Sequence, residues 1–109
     1  MVGVSGDPVI KRLAISITKG LDLSPALKLD LVACHPEPSR ALLVRALLVR
    51  GLNAHREGAE LPEHEASSER LSVTVPQWLD ESVYAVACSI RAPVASTAAR
   101  LVRLGLSTL

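Results

Sequence analysis

The sequence has no phenylalanine, one tryptophan and one tyrosine, although hydrophobic residues make up 49% of its 109 positions. The large aromatic side chains, each of which buries much area in an ordinary core, are therefore almost missing. The interior must be built from leucine, valine, isoleucine and alanine, which favours small, closely packed helices. A chain of this length forms one domain, so any internal duplication must consist of two halves that share a core.

Long apolar runs are missing as well. The longest run, ALLVRALLVRGL at residues 41–52, is interrupted by Arg45 and Arg50, and it is shorter than the roughly 18 residues of a membrane-spanning helix. The N-terminal MVGVSGDPVIKR does not have the layout of a secretory signal. Two cysteines give no disulfide framework, so we expect a cytoplasmic protein in which Cys34 and Cys88 pack as small hydrophobes. A disulfide between them is the alternative.

Motifs of metal sites and of enzymes are not found either. The histidines and cysteines show neither the C-x₂-C nor the H-x₃₋₅-H spacing that brings ligands onto one ion, so no metal or other cofactor is expected. There is no G-x-S-x-G elbow, no phosphate-binding glycine loop and no pair of carboxylates in an apolar setting. Ser24 and Ser82 are interpreted as helix-start residues rather than nucleophiles. We therefore predict no catalytic residues and no enzymatic activity.

The charge of the chain is distributed unevenly. The net charge is only +1, but residues 53–69 contain five glutamates and one arginine, a charge of −4, which leaves +5 for the remainder. This stretch is also rich in alanine, serine, glycine and proline. It is predicted to be an acidic, flexible linker between basic folded parts.

Two stretches of almost the same sequence stand in the two halves of the chain. They are RLAISIT at residues 12–18 and RLSVTVP at residues 70–76, and in both of them large aliphatic residues alternate with arginine, alanine, serine or threonine. A period of two over β-branched residues predicts a strand with one buried and one open face. A single strand would leave both of its edges unpaired, so residues 12–18 are predicted to pair antiparallel with residues 70–75 as a two-stranded ribbon.

Helical sequence follows each of the two strands. Proline-containing breaks, HPEP in the first half and RAP in the second, divide it into two helices each time, and Gly51 and Gly105 mark the predicted helix ends. The sequence thus predicts a mainly α fold with a two-stranded antiparallel β-ribbon, in the order strand, helix, helix in each half. The predicted helices are residues 21–34, 39–51, 76–90 and 94–106.

This strand–helix–helix unit with its R-L-x-I/V-x-I/V opening resembles the ribbon-helix-helix family of DNA-binding proteins, the group that includes MetJ, Arc and CopG. The strands are most similar to the CopG type, and the resemblance spans residues 11–52 and 70–106. Family members are usually homodimers of one unit, so a chain with both units resembles a single-chain pseudo-dimer in a TraY-like arrangement. The resemblance implies one compact domain made of tandem ribbon-helix-helix repeats, residues 11–52 and 70–109, joined by the acidic linker 53–69.

The resemblance also implies that the open face of the ribbon enters the major groove of double-stranded DNA. Arginine can donate two hydrogen bonds to guanine and a hydroxyl can donate or accept, whereas alanine offers only an apolar contact. Because the two strands differ, an asymmetric site is expected. The implied base contacts are Arg12, Ala14 and Ser16 of the first strand and Arg70, Ser72 and Thr74 of the second.

Phosphate contacts are implied at the N-terminus of the second helix of each half, where free N–H groups and the helix dipole attract anions. Ser39 and Arg40 suit such a contact well. The second half has Pro93 and Val94 where a capping serine or threonine is usual, so it suits the role less well. The implied phosphate contacts are Ser39, Arg40, Val94, Ala95 and Ser96.

The resulting hypothesis is a bacterial, nucleoid-associated protein of the cytoplasm that binds DNA as a transcriptional repressor or regulator, or as an accessory factor of a plasmid or another mobile element. Self-association on adjacent sites is an extension of it. The alternative is an antitoxin or another protein-interaction module that uses the same fold as a platform. A swapped dimer, in which equivalent strands of two chains pair, is a further alternative.

Two more expectations concern single side chains. Trp78 is the only large anchor, and it is predicted to pack its helix against a neighbouring one, whereas an exposed Trp78 would indicate a partner site. The arginines of the second helices are interpreted as solvated edges of core helices, with a phosphate contact of Arg45 or Arg100 as the alternative.

Overall fold

The computed structural model describes residues 10–34, 36, 39–63 and 68–109. These residues form a mostly helical fold with one two-stranded antiparallel sheet. The elements in chain order are β1 (Ile10–Thr18), a 3₁₀ helix (Ser24–Lys28), α1 (Asp30–Ala33), α2 (Arg40–Arg56), β2 (Ser68–Pro76), α3 (Gln77–Ile90) and α4 (Val94–Ser107).

Strands β1 and β2 pair antiparallel over their whole length, which confirms the predicted pairing. Their alternation of apolar and small polar residues gives the ribbon two different faces. On the face towards the helices, Leu13, Ile15 and Ile17 of β1 and Val73 and Val75 of β2 are all buried. Burial of this apolar face is what allows a ribbon of only two strands to be stable.

The register of the ribbon is symmetric about one residue pair. Ala14 lies opposite Ser72, which is 58 positions further along the chain, and Arg12 and Arg70 are separated by the same number of positions. Each residue of the central part of β1 is therefore paired as in a two-fold arrangement of equivalent strands. The centre of that arrangement is the Ala14–Ser72 pair.

Helices α2 and α4 cover the apolar face of the ribbon and cross each other at two glycines. A Cβ atom at Gly51 would lie 1.8 Å from the carbonyl oxygen of Leu101, and one at Gly105 would lie 2.2 Å from the carbonyl oxygen of Leu47. The missing side chains let the two backbones approach closely. The prediction that these glycines end their helices is therefore wrong, since both lie inside a helix.

The end of α2 is at a different glycine. Gly58 has a φ of 103°, a left-handed conformation that glycine adopts without strain. The Gly58 N–H donates to the carbonyl of His55 and the Ala59 N–H to the carbonyl of Ala54, both at 3.0 Å. This is a Schellman motif, which satisfies carbonyl groups in the last turn of the helix.

The first helix predicted for the first half, residues 21–34, is not continuous. It is divided into the 3₁₀ helix and the single turn α1, because Leu29 between them is extended with a ψ of 136°. Pro25 cannot lie in the interior of a helix that begins at residue 21, and it stands in the first turn of the 3₁₀ helix instead. The Asp22 carboxylate accepts a hydrogen bond from the Ser24 N–H at 3.0 Å, and this bond lowers the pKa of Asp22. The other predicted helices are present, with α3 and α4 ending within one residue of the predicted ends.

The stretch between the halves is shorter than predicted. Residues 53–56 form the last turn of α2, and β2 begins at Ser68. In the described part of the connection, Leu61 packs against the core and the carbonyl of Pro62 accepts a hydrogen bond from Arg100 Nε at 2.7 Å. Arg100 thus positions the connection against α4.

Candidate nucleic-acid interface

The residues predicted to contact bases share the open face of the ribbon. Cross-strand pairing places Arg12 opposite Thr74, Ala14 opposite Ser72, and Ser16 opposite Arg70. The three residues of β2 and Arg12 are exposed, and Ala14 and Ser16 are partly exposed. The structure brings all six together because alternate residues of a strand point to the same face, and the two strands are paired. Their role as base contacts stays a prediction.

Both arginines of this face have free donors. Among the residues that the structure describes, none forms a hydrogen bond or an ion pair with the guanidinium group of Arg12 or Arg70. Lys11 and Lys19 are exposed as well, but Lys11 lies at a position of the helix-facing side of β1 and Lys19 directly follows the strand. The open face therefore presents cations with unused hydrogen-bond donors, as recognition of guanine edges or phosphates requires.

The N-terminus of α2 is already occupied by groups of the protein itself. The Leu42 N–H donates to Ser39 Oγ at 3.1 Å, so Ser39 is the N-cap. Arg40 forms an ion pair with Glu69 of β2, in which the two side chains are 44% and 36% exposed. Glu69 was predicted to belong to the acidic linker, but it lies in β2, where its carboxylate pairs with an arginine that was predicted to contact a phosphate.

The N-terminus of α4 is more open. Pro93 is the N-cap and provides no side-chain hydrogen bond. The hydroxyls of Ser96 and Thr97 donate to the carbonyl of Pro93, at 3.1 and 2.8 Å, and do not cap the helix. The first N–H groups of α4, those of Val94, Ala95 and Ser96, are thus left without a side-chain cap. The two N-termini thus differ in capping, and the phosphate contacts predicted at both of them stay predictions.

Arginines of α2 and α4 make structural contacts. Arg100 holds the carbonyl of Pro62, as described above. Arg50 donates from Nε to Thr108 Oγ1 at 2.6 Å and from its terminal nitrogen to the Thr108 carbonyl at 2.7 Å. The contact of Arg100 engages its Nε, and a phosphate contact of Arg45 or Arg100 stays a prediction.

Three side chains outside the ribbon differ from expectation. Trp78 is 53% exposed, so the prediction that it packs α3 against a neighbouring helix is wrong. Tyr84 of the same helix is 57% exposed. Cys34 and Cys88 are also exposed rather than packed as small hydrophobes, and they do not form a disulfide with each other. The buried residues of α3 are instead Leu79, Val83 and Ala87, which repeat at every fourth position.

Comparison of the chain with models of protein families, with curated proteins and with solved structures finds no match. Within the described ranges, no three His, Cys, Asp or Glu residues are arranged to hold a metal ion. None of the helices in the same ranges combines the length and the apolar character needed to cross a bilayer. The geometry of the ribbon and its helices is therefore what indicates a function.

Proposed function

We propose that the protein is a tandem ribbon-helix-helix pseudo-dimer that binds double-stranded DNA in a sequence-specific manner. It acts as a transcriptional repressor or regulator, or as an accessory factor of a mobile element. The observation that carries the proposal is the open face of the ribbon, on which Arg12 and Arg70 have free donors and lie opposite hydroxyl-bearing residues. A two-stranded ribbon fits the major groove, which is about 12 Å wide.

The chemistry of the face agrees with readout of base edges. Each guanidinium can donate two parallel hydrogen bonds to O6 and N7 of guanine, and each such pair contributes about 1–3 kcal/mol of discrimination. Ser16, Ser72 and Thr74 can donate to or accept from neighbouring bases. The described part of β1 and β2 has one acidic residue, Glu69, and its charge is neutralised by Arg40.

Helix N-termini provide the phosphate contacts in this proposal. The uncapped N–H groups of α4 are suited to receive a phosphate oxygen directly. The N-terminus of α2 contributes its arginine only when Arg40 exchanges the Glu69 carboxylate for a DNA phosphate. The α4 end is therefore the stronger of the two anchors.

The experiment that tests this proposal is selection of bound duplexes from a random pool, followed by measurement of affinity over a range of salt concentrations. We expect the wild type to select a motif and the Arg12→Ala/Arg70→Ala variant to bind that motif at least tenfold more weakly, since each bidentate contact is worth about 1–3 kcal/mol. Its sequence preference should relax at the positions that the arginines read.

A charge-matched control is the Lys28→Ala/Arg91→Gly variant. Both residues are exposed and lie outside the ribbon, and glycine suits the left-handed backbone of Arg91, which has a φ of 54°. This variant should select the same motif as the wild type. If the Arg12→Ala/Arg70→Ala variant also selects that motif with unchanged affinity, the ribbon does not read the groove.

A second candidate function is a protein-interaction platform, as in an antitoxin. It is favoured by the exposed Trp78 and Tyr84, because aromatic side chains dominate the energetics of many interfaces. Recovery of one defined partner protein with the wild type but not with the Trp78→Ala/Tyr84→Ala variant would support it. A chain that retards DNA on its own supports the first proposal instead.

A further inference from the structure

The two cross-strand pairs that flank the central Ala14–Ser72 pair on the open face are chemically alike. Arg12 with Thr74 forms one flank, and Arg70 with Ser16 forms the other, so each has one guanidinium and one hydroxyl. Rotation about the centre of the ribbon exchanges the two flanks. A protein with only these four side chains would bind a site equally well in both orientations, as a symmetric dimer does.

The centre of the face is different. Ser72 is exposed and offers a hydroxyl, while Ala14, directly opposite, is partly buried and offers a methyl group. A hydroxyl can donate and accept hydrogen bonds, whereas a methyl group contacts only apolar parts of a base, such as the methyl of thymine. Rotation of the protein therefore exchanges two unlike groups over the central bases.

The two ends of the ribbon also differ from each other in polarity. Ile10, which is 53% exposed, lies opposite Pro76 at one end, whereas the other end of β1 is formed by the partly exposed Thr18. One end is apolar and the other has a hydroxyl. The face as a whole is thus not equivalent to itself after rotation.

We infer that Ser72 and Ala14 fix the orientation in which the ribbon binds DNA. Ser72 forms a hydrogen bond with a base edge of the base-pair step at the centre of the site, and Ala14 contacts the other side of that base-pair step. This inference rests on the proposed function, because it concerns the same face. Its consequence is that the preferred site has similar flanks and a centre that is not palindromic. Ser72 is then a specificity-determining residue.

The test compares two duplexes, the site that the wild type selects and the same site with only its central step inverted. The wild type should prefer the selected site by about tenfold, which corresponds to one hydrogen bond to a base edge. Ser72→Ala and Ala14→Ser each make the two centres alike, so each variant should bind the two duplexes within about twofold. The Ala14→Ser/Ser72→Ala variant should reverse the preference to about tenfold for the inverted centre.

The exchanged variant has the same composition as the wild type and changes only exposed or partly exposed positions, so it should fold as the wild type does. Ser89→Ala removes an exposed hydroxyl from α3 and should leave the preference unchanged. Equal binding of both duplexes by the wild type, or an unreversed preference in the exchanged variant, would overturn the inference while leaving DNA binding established. Failure of the wild type to retain any duplex at low salt would overturn the proposed function itself.

Discussion

Gly51 and Gly105 allow a close backbone contact between α2 and α4. Glycine normally destabilises a helix interior by about 1 kcal/mol relative to alanine. At these two positions that cost is offset, because a Cβ atom would lie within 2.2 Å of a carbonyl oxygen of the facing helix. The two contacts are reciprocal, since each glycine faces a leucine four residues before the other glycine.

A Gly51→Ala substitution is expected to lower the free energy of unfolding by about 2 kcal/mol or more, because the helices must separate to admit the methyl group. Asn53→Ala, an exposed change two residues further along α2, is the control and should raise stability by a few tenths of a kcal/mol through helix propensity. Urea denaturation followed by far-UV circular dichroism measures both. A Gly51→Ala protein that is more stable than the wild type would show that the close contact does not exist.

Trp78 and Gly51 show why single residues are hard to interpret from sequence. A glycine near the end of a helical stretch has the same appearance whether it ends the helix or admits another helix. A tryptophan within an amphipathic helix is equally ambiguous. Trp78 lies one position before the fully buried Leu79, and only the direction of the helix face decides which of them packs. The role of the glycine and the packing of the tryptophan both depend on the helix or strand that lies against them, and the local sequence does not specify that element.

At the scale of elements, the N-termini of α2 and α4 differ because different residues surround them. Arg40 is bound by a carboxylate of β2, and the two residues are 29 positions apart in the chain. An ion pair of this exposure contributes about 1 kcal/mol or less to stability. Its main effect is on what else Arg40 can bind.

Under the proposed function, Glu69→Gln is expected to strengthen DNA binding several-fold at low salt, because it removes a negative charge and releases Arg40 for a phosphate. The salt dependence of the affinity should become steeper by about one unit, as for one additional phosphate contact. Glu57→Gln, an exposed change at the opposite end of α2, is the control with the same loss of charge. An equal gain in both variants, or none in Glu69→Gln, would mean that Arg40 does not take part in binding.

Much of the element pattern was predictable. Alternation of apolar and polar residues defined both strands, and prolines marked the starts of α3 and α4. The broken first helix also had a signal, since Pro25 stands within the stretch predicted as helical. The Arg40–Glu69 pair had none, because it depends on how β2 and α2 meet in space. The six residues of the open face were predictable as a group. Side chains alternate between the two faces of a strand, and antiparallel pairing places the matching faces of both strands together.

At the scale of the whole molecule, both strands of the ribbon belong to one chain. Each half provides one strand, one helix of the α2–α4 crossing and part of a common core. Neither half can bury its apolar residues without the other. We therefore expect a single chain to be the folding unit, with a stability that does not depend on association.

The midpoint of thermal or urea unfolding is accordingly expected to stay constant over a hundredfold range of protein concentration. Light scattering should give the mass of one chain, 11.6 kDa, at both ends of this range. The swapped dimer predicts a different result, since its midpoint rises with concentration by mass action and its mass is doubled. A rising midpoint would show that the strands pair between chains.

The joining of both strands in one polypeptide also determines how the protein can change. In an assembly of two identical subunits, every substitution occurs twice and must be tolerated in both places. Here a mutation alters one half and leaves its counterpart intact. The two halves do differ, since the first has a single turn of helix at α1 and the second the 14-residue α3, and Ala14 faces Ser72 in the ribbon.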